Sequence, residues 1–173
     1  EDGVISFRLE DLTAANDIEH AGAHDALVDV TATIAVAKMV KQAQPKLFDY
    51  VFANRNKQAL ASMLNVRNEK PVLHVSSRYP AKLGCIAAVL PLAMHPTNRN
   101  GVIVYDLRHD PSDLLNLSAE QICERMYTRT EDLPEGVQRI ALKQVHINKA
   151  PVVVPMSTLT GEAREQWQMD EAR

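Results

Sequence analysis

The sequence predicts an α+β chain, with a helical opening to about residue 43 followed by a β-rich unit that has helices embedded in it. Three observations carry that expectation. Leu27, Val30, Ile34, Ala37 and Val40 recur at steps of three and four, the period of one stripe of a buried helix. From Pro71 the texture changes to short runs of β-forming residues bounded by Pro, Gly and Asn, at 72–75, 86–93 and 102–107. The 173 residues, 46% hydrophobic and 24% charged, suffice for a core and exclude disorder, collagen and disulfide-rich scaffolds.

The elements follow in order. Residues 7–15 place Phe7, Leu9, Leu12 and Ala15 among charges, a short amphipathic helix ending near Asn16 and Asp17. The long helix starts at Asp25, with Asp25 and Asp29 near its start and Lys38 and Lys41 in its last turns, as the helix dipole prefers. Gln44-Pro45 stops it, and Pro45 opens the next helix at its first turn, with Leu47, Phe48, Val51 and Phe52 as the apolar face. Asn54 to Lys57 breaks that helix, and 58–64 forms another. Asn100-Gly101 closes a hairpin loop over 96–101. A helical turn at 112–117 follows, and the pattern Ser118-x-x-Gln121 predicts a capped helix to Tyr127. Residues 137–147 and 152–155 read as strands, and 161–173 as a charged helix with few apolar anchors. Two helices cannot bury a core alone, so the opening segment calls for a partner sheet that the sequence does not visibly contain.

Nineteen basic against 22 acidic side chains give a net charge of −3, which announces no nucleic-acid binder, although phosphate is bound by local patches rather than by global charge. Cys85 and Cys123 match no metal-binding spacing and read as free thiols of a reducing compartment, the cytoplasm. No apolar run approaches the roughly 18–20 residues of a spanning helix, and no basic-then-apolar leader is present. Residue 1 is Glu, which points to a processed protein or a piece of a longer one.

The segment Ala23 to Asp29 is the most informative. His24 lies in the turn before the long helix, and Asp29 on its second turn. A carboxylate held on a helix suits Mg²⁺, and an imidazole beside it can take a proton from metal-bound water. By itself His-x4-Asp is common, and the same residues serve equally as a helix-entry His and dipole-compensating acids.

The surroundings add to it. Ser6 to Leu12, Ile18 to His20, His24 to Ala26, Asp29, Ala32-Thr33 and Ala35 resemble the last motif of the DEDDh exonucleases, within them the bacterial exodeoxyribonuclease I family. Gln44 to Tyr50, Asn54 to Lys57, Lys70-Pro71, His74 to Ser76, Pro91 to Ala93, His95-Pro96, Asn98 to Asn100, Val145 to Lys149 and Pro151 resemble that family in the same order, so the likeness covers roughly residues 3–160.

The resemblance implies that residues 1–43 are the C-terminal helices of a ribonuclease-H-like exonuclease domain, and 44–173 an SH3-like domain. It implies 3′→5′ degradation of single-stranded DNA, acidic residues that bind two Mg²⁺, His24 as general base and Asp29 as the last metal-binding carboxylate. The family's Asp-x-Glu pair belongs on a strand well upstream. The only such pattern here, Asp17-Ile18-Glu19, falls five residues before His24 and reads as solvent-facing. One carboxylate and one imidazole cannot position two metals, so the chain alone is predicted to be inactive, a cut within a nuclease domain.

Candidate DNA contacts are Arg55, Lys70, Arg78 and Arg99, joined by Lys57 and Lys82, with Tyr79 as a stacking ring. The segment 77–86 departs from the family pattern. The resemblance also implies a partner, the acidic C-terminal tail of single-stranded-DNA-binding protein, near Tyr50 and Lys70. Pro155 and Thr160 stand where polar or basic side chains would serve that pocket, and the family's helical C-terminal region has no counterpart. The alternative is a non-catalytic module that binds single-stranded nucleic acid or protein. His74, His95 and His146 are expected to be structural.

Overall fold

The computed structural model describes residues 5–20, 25–167 and 169. Four helices come first: α1 (Leu9–Ala15), α2 (Ala26–Ala43), α3 (Pro45–Ala53) and α4 (Lys57–Met63). The strands β1 (Val72–Val75), β2 (Ile86–Met94) and β3 (Gly101–Asp106) precede α5 (Ser112–Asn116) and α6 (Ala119–Tyr127). Strands β4 (Leu142–His146) and β5 (Val152–Pro155) and helix α7 (Gly161–Gln166) complete the order.

Local chemistry explains the boundaries. The Asp25 carboxylate caps α2 by accepting from the backbone N–H of Leu27 (2.9 Å) and Val28 (3.3 Å). Pro45 occupies the first turn of α3. Ser118 and Gln121 form the reciprocal capping box that starts α6.

The strands make one antiparallel sheet in the order β4-β3-β2-β1-β5. Pro91 cannot donate to its neighbour, and β2 slips its register by a bulge between Pro91 and Ala93. Edge strands β4 and β5 are joined only through residues 147–151. That link turns back on itself: Lys149 N–H bonds to His146 O (3.1 Å), and Ala150 sits at φ +45°. A flat five-stranded sheet separates its edges by roughly 19 Å, which a folded link of that length cannot span. The sheet therefore curls. Val145 of β4 and Val153 of β5 join one buried cluster with Val72, Val89, Val102 and Val104, capped by Leu60 and Leu64 from α4 and its end. The opposite face carries Leu73, Ala88 and Val154, covered by Tyr50 and Val51 of α3 and by Trp167 and Met169.

Three expectations are corrected. The α2 stripe is not buried: Leu27 is 74% exposed, and Val30, Ile34 and Val40 are exposed as well. α1 and α3, with seven and nine residues, pack against an 18-residue helix and are too short to cover it. The strand read over 137–147 shrinks to Leu142–His146, because β3 ends at Asp106 and a turn at Pro134 to Val137 precedes it. The tail helix ends at Gln166, with Trp167 packed on the second cluster and Met169 buried, while 168 and 170–173 of the expected helix lie outside the described residues.

Candidate functional site

His24 lies outside the described residues. Asp29 sits in the first turn of α2 rather than the expected second, because the helix begins at Ala26 with Asp25 as its cap, and its carboxylate accepts from His20 Nε2 at 2.9 Å. The other ring nitrogen of His20 meets Thr13 Oγ1 at 3.2 Å, and Thr13 also bonds to Leu9 O and Glu10 O. His20 is thus clamped between α1 and α2, its side chain 7% exposed, while the Asp29 side chain remains 42% exposed. Asp17 and Glu19 are exposed and lie in a turn and an irregular segment, not in a strand. Among the described residues no group of three His, Cys, Asp or Glu side chains is placed to hold a metal ion.

The other concentration of chemistry is a cavity of about 760 Å³ beside β4, where the curled sheet leaves that edge unpaired. It is bordered by Arg139 to His146, by His74 and Ser76 at the end of β1, by Arg78 and Tyr79 after it, and by Lys149. Alternation along β4 places Lys143 opposite Val104, on the same inward face as Val145. Its ammonium lies 4.0 Å from the centroid of the Tyr79 ring, a cation–π contact, and makes no hydrogen bond. His74 meets the Tyr79 ring edge-on at 5.6 Å.

The electrostatics follow from this crowding. Burial, and then the nearby Arg78 charge, bring the Lys143 pKa down to about 8. Burial and the Lys143 charge lower His74 to about 4, so its ring is neutral. Burial, reinforced by Asp106, raises the Tyr79 phenol. The acid lining the cavity, Asp106, is held by Arg108 in a two-pronged pair of 3.0 and 2.6 Å. Four basic side chains, Arg78, Arg139, Lys143 and Lys149, line the cavity against that one neutralised carboxylate.

The expected contacts distribute unevenly. Arg78 and Tyr79 line the cavity, but Tyr79 is only 8% exposed. Its ring belongs to the first core cluster and is flanked by His74 and Lys143, so it offers no face on which a base could stack. Arg55 is exposed at the end of α3, its guanidinium 3.7 Å from the Phe52 ring centroid. Arg99 lies at the tip of the β2–β3 hairpin and Lys70 just before β1, both exposed. Tyr50 packs on the second cluster and points its hydroxyl at Met63 Sδ, 3.6 Å away. His95 Nδ1 accepts from the backbone N–H of Thr97 and Asn98, and His146 meets Asn98, as structural residues do. His74 is buried in the sheet as well, with its Nδ1 lacking a hydrogen-bond partner.

The sequence reading missed Lys143, Arg139 and Lys149. A signal was there for Lys143: residues 143, 145 and 147 share one face of a strand, and a Lys in step with two buried aliphatics is an inward cation. Cys85 and Cys123 are free thiols. Among the described residues no helix is long and apolar enough to cross a membrane.

Comparison with known proteins gives the context for this geometry. Exodeoxyribonuclease I of Escherichia coli K12 is 51% identical over 162 residues, 94% of this chain and 34% of that protein. A crystal structure of E. coli exonuclease I in complex with a dA16 oligonucleotide superposes with a TM-score of 0.92 at 48% identity, over 99% of this chain and 36% of that one. The zinc-ion-bound form of an E. coli exonuclease I complex with single-stranded DNA gives 0.90 at 48% identity, over 95% and 35%. The chain thus spans about a third of the length of these relatives. The family model for the exonuclease I SH3-like domain matches residues 55–173, and the curled sheet with its inserted helices agrees with it. The chain belongs to the exonuclease I SH3-like domain family.

Proposed function

We propose that this chain is the strand-holding part of an exodeoxyribonuclease I, a cytoplasmic enzyme that degrades single-stranded DNA in the 3′→5′ direction. The observation that carries the reading is the cavity beside β4, where four cations face one already paired carboxylate. Clustered, unneutralised cations are what a phosphate backbone requires. Relatives of this chain have been crystallised with single-stranded DNA, which supports the same ligand here.

In this reading residues 1–43 belong to the nuclease domain, and residues 44–173 form the unit that steadies the strand. Asp29 would supply one carboxylate to a Mg²⁺ site, and His24 the base that takes a proton from the attacking water. The described residues do not complete such a site. Asp29 is a single carboxylate, half-exposed and bonded to His20, and no other acid joins it within a three-group cluster. Two metals need several carboxylates, so hydrolysis requires residues other than these.

The test has two arms. Anisotropy of a labelled oligo-dT strand should show binding to the 173-residue chain that weakens steeply as salt rises. Incubation of the same strand with the chain and Mg²⁺ should release no nucleotides. Absence of binding at low salt would overturn the strand-holding role, and EDTA-sensitive release of nucleotides would overturn the proposed inactivity.

A further inference from the structure

We infer that the cavity beside β4 is a phosphate pocket, with Lys143 Nζ as its buried anchor, the Tyr79 hydroxyl as a second donor and Arg78 at its mouth. The inference rests on the single-strand reading above and deepens it by naming the group bound and the atoms that bind it.

The argument starts from unmade bonds. Lys143 Nζ and Tyr79 Oη are both buried, belong to residues that border the same cavity and have no hydrogen-bond partner. A buried donor without an acceptor is costly, and a buried ammionium-type cation more so. The Tyr79 ring relieves Lys143 in part, from 4.0 Å, but a ring face is only a weak acceptor and leaves the ammonium without an oxygen partner. The neighbouring charge aggravates the cost, because Arg78 disfavours the charged form of Lys143. Asp106 opposes it in part, but makes no hydrogen bond to the ammonium and already accepts both prongs of Arg108.

A group that answers all of these donors must be anionic and must offer several acceptor oxygens in different directions. Phosphate does so: one oxygen takes the ammonium, another the phenol, and the outer oxygens face the Arg78 guanidinium. The cavity, about 760 Å³, exceeds what one phosphate fills, leaving room for the attached sugars. The unpaired edge of β4 keeps one wall free of a neighbouring strand.

The experiment uses the 173-residue chain with three probes: a labelled oligo-dT strand titrated over a range of salt, inorganic phosphate, and thermal melting to confirm folding. Lys143→Met keeps the length and removes the charge, and Tyr79→Phe removes only the hydroxyl. Lys143→Met should raise the Kd for the strand about ten-fold and flatten the slope of log K against log salt by about 0.7, the share of one phosphate on a single strand. Tyr79→Phe should raise Kd roughly three-fold. In the unsubstituted chain, inorganic phosphate should saturably shift the amide resonances of Lys143 and Tyr79. Strand binding with unchanged Kd and slope in both variants overturns the pocket and leaves the strand-holding reading standing. Saturable phosphate shifts without strand binding establish the pocket for free phosphate and overturn that reading. Neither response overturns both. Should Lys143→Met fail to fold, Tyr79→Phe and the phosphate titration decide.

Discussion

His74 shows how one side chain ties the sheet to pH. It stands on β1, buried against the Tyr79 ring, and burial with the Lys143 charge brings its pKa down to about 4. In the unfolded chain the same imidazole titrates near 6.5. Between those values the unfolded state takes up a proton that the folded state refuses, so stability is full above about pH 6.5 and falls as pH drops toward 4. The loss should reach roughly 3 kcal/mol, read as a falling urea midpoint, and His74→Gln should flatten it over that window. A parallel fall in both proteins would show that other groups are responsible. At this scale the sequence was partly legible. The clamp on Asp29 by His20 joins residues nine apart, and no spacing rule announces it. Burial of Tyr79 escaped because a ring beside Arg78 looks like a platform until the curl of the sheet encloses it.

Among the elements, α2 and α4 make opposite predictions from similar apolar content. Leu60 on α4 is 1% exposed and caps the first cluster, so Leu60→Ala should cost about 2–5 kcal/mol of unfolding free energy by urea titration. Ile34 on α2 is 49% exposed, and Ile34→Gln should change the same measurement by less than about 0.5 kcal/mol. Equal costs would mean that α2 is covered in solution. Helix starts were readable because capping is local chemistry: Asp25, Pro45 and the Ser118–Gln121 box each act within a few residues. Strand length was less so. Residues 137–141 look like β4 by composition, yet the pairing partner ends at Asp106, some thirty residues away.

For the whole molecule, the decisive feature is that strands at opposite edges are joined by a short, turned link, which forces the curl and opens the cavity beside β4. Composition and period indicated an α+β chain, but strand order is long-range information, and the cavity depends on it. The cations that define the site come from the segment after β1, from β4 and the residues just before it, and from the link after it, so no contiguous basic run marks it in the sequence. The docking of the tail has a practical consequence. Trp167 is the chain's single tryptophan, packed on the second cluster with its ring over Gly84, where an added Cβ would approach it to 3.1 Å. Gly84 itself sits at φ +68°, so Gly84→Ala should both strain the backbone and push the indole outward. The protein therefore carries its own optical gauge: a red shift of intrinsic emission should report release of the carboxy-terminal segment from the sheet, separately from melting of the β core followed by far-ultraviolet dichroism.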